Sequence, residues 1–182
     1  MYFEEPGQNN TEQTLNLAFE RGKALGLSEV VVASSKGDTA YKALDIFSGF
    51  KIIAVTYHGG FMKPFENVMK TEVRKDLESK GVVVHAATHA LSGVERSIAQ
   101  KYQGLYPALL IADTLKRMGQ GTKVAVEVAM MAADGGLLSG HEIISIGGTG
   151  RGADTAWVLT PGNQNQFFDL KMKELICKPR NF

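Results

Sequence analysis

The stretch Val30–Leu44, VVVASSKGDTAYKAL, decides the fold. A wholly apolar strand, Val30 to Ala33, stops at two serines, a lysine and a glycine, and a helical spacing of Ala40, Ala43, Leu44 and Phe47 follows at once. A continuously apolar strand handing over to a helix is the repeating unit of a parallel sheet with crossover helices. The handover recurs downstream. Lys51 to Thr56, KIIAVT, reads as a second buried strand, ending in the glycine loop YHGGF, Tyr57 to Phe61. Asn67 to Ser79 reads as a solvated helix stopped by Gly81, and Val82 to Thr88 as a third strand.

Upstream, Asn10 to Leu27 reads as a helix capped by Asn10 or Thr11, with Leu15, Ala18, Phe19, Gly22 and Leu25 on one face. Downstream, Ser92 to Gln100 and Ala108 to Met118 read as helices, the latter opened by Pro107. Thr122 to Asp134 alternates like a strand in its first half, yet Val124, Val128, Met131 and Ala132 also fit a helix face. His141 to Gly148 is a fourth buried strand and Thr155 to Pro161 a fifth. The loop between them is too short for a parallel crossover, so the fifth strand is expected to run antiparallel. Phe167 to Phe182 reads as a short amphipathic tail. No linker or repeat divides residues 1–182, which points to one domain. The expected architecture is a three-layer α/β sandwich around a mostly parallel five-stranded sheet, with strand order 3-2-1-4-5.

Bulk composition narrows the function classes. Charged residues make up 21% and the net charge is +1, so no strong field invites nucleic acid or an anionic membrane. The acidic, polar start MYFEEPGQNN is unlike a secretory leader, and the lone Cys177 forms no internal disulfide framework. These features lead us to expect a cytoplasmic protein.

Ligands of parallel sheets bind beyond the carboxyl ends of the strands. Three such ends carry loop residues here. In SSKGDT, Ser34, Ser35 and Thr39 offer hydroxyls, Gly37 lets the backbone turn, Lys36 adds charge, and Asp38 opens the helix. First-turn amides at the positive end of a helix suit a phosphate, although Ser35 or Asp38 acting as a plain helix cap explains the same residues. The second end, after Thr56, offers His58 and Gly59. The third is GGTGRGAD: Gly147, Gly148, Thr149, Gly150, Arg151, Gly152, Ala153 and Asp154. Its glycines admit a bulky ligand to the backbone and Arg151 can fork onto an anion, while a flexible hairpin turn is the plainer explanation. Neither loop has the order of a Walker motif, and the G-x-G-x-G rhythm opens onto a strand rather than a helix. His85 and His89 lie four apart on a strand without a carboxylate pattern, so no metal site is expected. His89 leads into HALSGVERS, where Ser92, Glu95 and Arg96 could face the same crevice, and Glu127 stands out in an apolar run. Tyr102, Tyr106 and Trp157 read as packing residues.

The order of these pieces resembles the carboxy-terminal α/β domain of pyruvate kinases. SEVVVASSKGDTAYKALDIFSGFKIIAVTYH and AMMAADGGLLSGHEIISIGGTGRGADTAWVL carry the likeness, and it assigns Val124 to Ala133 to a helix. Over nearly its whole length the chain is similar to a family of small stand-alone archaeal and bacterial proteins of that fold, through NTEQTL, VVASSKGDTAYKAL, VTYHGGF, LSGVERSI, MAADGG, GGTGRGADTA and ICKPRN. The first resemblance implies that phosphoryl transfer from phosphoenolpyruvate, which belongs to a separate barrel, is not expected here. It also implies a phosphate ligand at Ser34–Thr39 and Gly147–Gly152. A carboxylate at Asp38 would repel a second phosphate, which disfavours a sugar bisphosphate. The second resemblance implies flavin mononucleotide as cofactor. The phosphate would lie on Ser34–Thr39, one wall on Thr56, His58 and Gly59, and the ribityl chain or ring under Gly147–Asp154. A flavin-dependent oxidoreductase and a non-catalytic sensor for a phosphorylated metabolite are the two roles it leaves open, with homo-oligomers possible for either.

Overall fold

The computed structural model describes all residues, Met1–Phe182. Along the chain run β1 (Tyr2–Phe3), α1 (Thr11–Ala24), β2 (Glu29–Ala33), α2 (Asp38–Ile46), β3 (Lys51–Thr56), α3 (Thr71–Ser79) and β4 (Val83–Ala86). Then come α4 (Glu95–Lys101), α5 (Pro107–Lys116), α6 (Gln120–Asp134), β5 (Ile143–Gly147), β6 (Thr155–Thr160) and β7 (Lys171–Pro179). They build one seven-stranded sheet in the order β1-β7-β6-β5-β2-β3-β4.

The five central and edge strands read from the sequence keep the expected order. β2 pairs in parallel with both β3 and β5, β3 in parallel with β4, and β5 antiparallel with β6. Two further strands correct the expectation of five. The tail is not merely amphipathic: β7 pairs antiparallel with β6, and β1 lies parallel beside β7. Ile176 and Cys177 are what draw it in, because both bury in the same apolar layer as Leu15 and Ala18 of α1. Arg21 on α1 donates a fork to Glu174 on β7 at 2.8–3.1 Å, fixing helix and strand together.

Alternate side chains of the sheet feed two apolar layers, as strand geometry requires. Val30 and Val32 of β2 pack with Ala40 and Ala43 of α2, Phe47 just beyond it and Leu77 of α3, whereas Val31 packs with Ala125, Val128, Ala129 and Ala132 of α6. α6 is therefore a helix covered by the sheet on one side and by α5 on another, where Met130 meets Ala112. The helix expected from Asn67 begins only at Thr71. The chain stays extended at Lys70 because Met69 first dives into the core, where it is 4% exposed. Tyr102, expected to pack, is 58% exposed, while Trp157 is buried and donates from Nε1 to Thr122 Oγ1 at 3.2 Å. No helix is long and apolar enough to cross a membrane.

Cys177 is fully buried, and burial pushes its thiol up to about 11. The thiolate is the nucleophile, so the folded protein is expected to resist a thiol reagent at pH 8 while urea-unfolded chain reacts at once. Rapid labelling of the native protein would show that β7 does not hold its place in the sheet.

Candidate functional site

Beyond the carboxyl ends of β2, β3 and β5 lies a cavity of about 500 Å³. Its floor is the loop between β2 and α2. Ser34 anchors that loop from two sides: its amide donates to the Val55 carbonyl at 2.9 Å, and its Oγ accepts from the Ala40 amide at 3.2 Å. Gly37 holds the N-cap position of α2, and Ser34, rather than Ser35 or Asp38, supplies the side-chain oxygen that takes a first-turn amide. Thr56 Oγ1 donates to the Ser35 carbonyl at 2.8 Å and holds the loop against β3.

The Ser35 carbonyl is taken by Thr56 and that of Gly37 by the Tyr41 amide, while the loop amides are left over. Those of Ser35, Lys36, Gly37, Asp38 and Thr39 donate to no acceptor in the protein. They sit at the positive end of α2, and the side chains of Ser35, Lys36, Asp38 and Thr39 border the cavity. Gly37 does not border it, contrary to expectation. Its φ is +109°, and a Cβ there would lie 2.5 Å from Val73 Cγ1, so its bareness serves α3 and the turn.

The β5–β6 hairpin forms the opposite wall through Gly148, Gly150, Arg151 and Gly152. Asp154 and Ala153, expected to touch ligand, instead build the hairpin. The Asp154 carboxylate accepts from the amides of Gly7 at 2.9 Å and Thr149 at 3.1 Å and from Thr155 Oγ1 at 2.7 Å. The Ala153 amide donates to Thr11 Oγ1 at 3.0 Å. Gly147 and Thr149 also lie off the cavity, as do His58 and Gly59 at the end of β3, where His58 Nδ1 turns back to within 2.7 Å of the Gly59 carbonyl oxygen. Thr56 does border it.

A third wall is one face of α6: Gln120, Val124, Glu127, Val128 and Met131. They share one helical face, set away from the strand ends where sequence motifs for a site are sought. Two glycines make this wall possible. A Cβ on Gly147 would lie 2.2 Å from the Gly121 carbonyl oxygen, and one on Gly121 would lie 2.2 Å from Thr155 Oγ1. α6 therefore crosses the ends of β5 and β6 at backbone contact, bringing its own amino end to the cavity beside that of α2.

Charge at the site is unevenly spent. Glu127 and Lys123 form a buried ion pair, with Glu127 Oε1 also accepting from the Leu91 amide at 3.1 Å. Burial pushes Lys123 down from the ordinary lysine range and Glu127 opposes it. Lys36 and Arg151, by contrast, make no ion pair with an acidic side chain. Val55, Tyr57 and His89 close the cavity, with Tyr57 stacked on Phe61 at 4.1 Å and tilted against His89 at 5.4 Å. Of the HALSGVERS residues, Glu95 is committed to the Leu109 amide at 2.9 Å and Arg96 lies over the Phe61 ring at 5.6 Å.

Residues 12–159 match the family described as pyruvate kinase, alpha/beta domain. Among solved structures, the chain is similar to Cryptosporidium parvum pyruvate kinase in complex with ADP. That likeness has 16% identity and a TM-score of 0.46 over 88% of this chain, which spans only 25% of that enzyme.

The buried pair gives a stability test. Lys123→Met strands the Glu127 charge and is expected to cost about 3–5 kcal/mol in urea unfolding, whereas adding Glu127→Leu recovers most of the loss. A single variant as stable as the wild type would mean that the pair is solvated rather than buried.

Proposed function

This chain belongs to the pyruvate kinase alpha/beta-domain family, and from that premise we propose that it binds flavin mononucleotide. The observation that carries the reading is the run of five unclaimed amides, Ser35 to Thr39, four of whose residues border a cavity of about 500 Å³. A tetrahedral anion satisfies several of these donors together, at a helix end that favours negative charge. Lys36 and Arg151 supply unpaired cations on the two facing loops. Asp38 on the same rim admits one phosphate and repels a second. Beyond the phosphate end, Val55, Tyr57, Val124, Val128 and Met131 present an apolar and aromatic wall that suits a planar ring system.

When bound, the flavin supplies hydride or single-electron chemistry. What the chain supplies is a grip and a shield. Glu127, on the α6 wall, is already held by the Leu91 amide and Lys123. A non-catalytic sensor or carrier would use only that grip, and a flavin-dependent oxidoreductase would need its reductant to do the chemistry on the ring itself.

Flavin fluorescence decides the ligand. Titration is expected to quench flavin mononucleotide, with riboflavin bound at least tenfold more weakly because it lacks the phosphate. Lys36→Ala is expected to weaken the complex by about 1 kcal/mol, the modest effect of an exposed charged contact. Equal affinity for the two flavins would place the phosphate outside the loop and overturn the reading. Bleaching of the bound flavin by NADH or NADPH would establish the oxidoreductase role, and its absence with every reductant the sensor role.

A further inference from the structure

The chain between β3 and α3 leaves the cavity rim at Tyr57 and re-enters the core at Met69. No residue of 58–68 is buried, and the tip carries Met62 at 72% and Phe65 at 101% exposure. The hydrogen bonds of this segment are its own. The Gly60 amide donates to the Glu66 carbonyl at 2.8 Å, the Glu66 amide to the Lys63 carbonyl at 3.1 Å and the Phe61 amide to the His58 carbonyl at 3.4 Å. Lys63 and Glu66 pair within it at 3.8 Å, and none of its hydrogen bonds reaches the rest of the protein. A loop closed on itself in this way opens and shuts as a unit.

Its tie to the body is aromatic. Phe61 stacks on Tyr57 at 4.1 Å, lies 5.0 Å from the His89 ring and carries Arg96 over its face at 5.6 Å. Tyr57 and His89 both border the cavity, so the loop is attached at the rim, beside the aromatic part of the wall. Gly60, at a φ of +83°, supplies a pivot next to that attachment. Phe65 is the second observation. Its φ of +64° strains a bulky L side chain, and its ring gains no contact in return. Such strain gathers at ligand clamps and switch segments. Extended, the chain from Phe61 to Phe65 reaches roughly 13 Å, more than the breadth of a fused ring system.

We propose that residues 58–68 are a lid that swings at Gly59 and Gly60 and lays Phe65, with Met62 beside it, over the ring end of the occupied cavity. In this structure the lid stands open, since neither Met62 nor Phe65 borders the cavity. The inference rests on the flavin reading and adds a specificity element to it. The α2 loop selects for a phosphate, and the lid selects for a large planar ring over a small phosphorylated sugar, because only the ring gives Phe65 an apolar surface to cover.

The test reads the lid by chymotrypsin, which cuts after aromatic residues. In the free protein the Phe65–Glu66 bond is expected to be among the first cut. Saturating flavin mononucleotide is expected to slow that cut at least 10-fold, whereas inorganic phosphate, which fills the α2 loop alone, leaves it unchanged. Phe65→Ala removes a ring that touches nothing, so its melting temperature and its thermal shift with inorganic phosphate are expected to match wild type. Its affinity for flavin mononucleotide is expected to fall ~10-fold, as for an aromatic ring no longer buried. A wild type that binds the flavin while the bond is cut at the free rate, or a Phe65→Ala variant that binds it equally well, would overturn the lid alone. Equal protection by phosphate would make closure a response to the anion and overturn the ring contact. Loss of self-association in Phe65→Ala at unchanged flavin affinity would assign Phe65 to a protein contact instead. Wild-type protein that binds no flavin mononucleotide would overturn the flavin reading, and the lid's role with it.

Discussion

The carbonyl oxygen of Gly121 occupies the place where a side chain on Gly147 would have to go. That backbone-to-backbone crossing seats α6 across the ends of β5 and β6, and Ser145 Oγ, donating to the Ala125 carbonyl at 2.7 Å, fastens it one turn further on. The consequences spread in both directions. Behind the crossing, Ala125, Val128, Ala129 and Ala132 lie flat on Val31, Ile53 and Ile143 and form one of the two apolar layers. In front of it, Gln120, Val124 and Glu127 become a cavity wall that no strand-end loop could provide. One contact between two glycines thus fixes the core on one side of the sheet and the shape of the site at its edge.

The site combines two kinds of donor with different costs. The amides of Ser35–Thr39 are fixed by the Ser34 and Thr56 hydroxyls, so an anion that meets them orders no flexible chain. Lys36 and Arg151 are exposed and long, and contribute attraction at a distance more than rigid geometry. The buried Lys123–Glu127 pair does neither. It neutralises itself, braces the turn at Leu91, and leaves the wall of α6 without net charge next to the apolar ring surface.

How much of this was legible depended on what each residue answers to. The order of the five strands followed from Val30–Ala33, Lys51–Thr56 and their repeats, because strands buried on both faces must be continuously apolar. β7 escaped notice since KMKELICKP keeps no clean alternation, and its pairing with β6 slips register between Ala156 and Trp157 and again between Val158 and Leu159. The glycines misled most. A bare position marks a close neighbour without saying which one: Gly37 is bare for Val73, and Gly152 both borders the cavity and is bare for Thr11, whose Oγ1 a Cβ would approach to 2.3 Å. Asp154 looked like a ligand group because it sits in the glycine loop, whereas its oxygens are spent on Gly7, Thr149 and Thr155. His89 and Glu127 were noticed as unusual residues, but only the three-dimensional arrangement puts them on one cavity.

The central claim is that an anion is held by main-chain donors at the entrance to α2. Amide-resolved proton–nitrogen NMR during addition of flavin mononucleotide tests it without relying on any side chain. The account expects the largest downfield proton shifts at Ser35, Lys36, Gly37, Asp38 and Thr39, saturating together with the fluorescence change. Shifts confined to other segments, with these five amides unmoved at saturation, would contradict it.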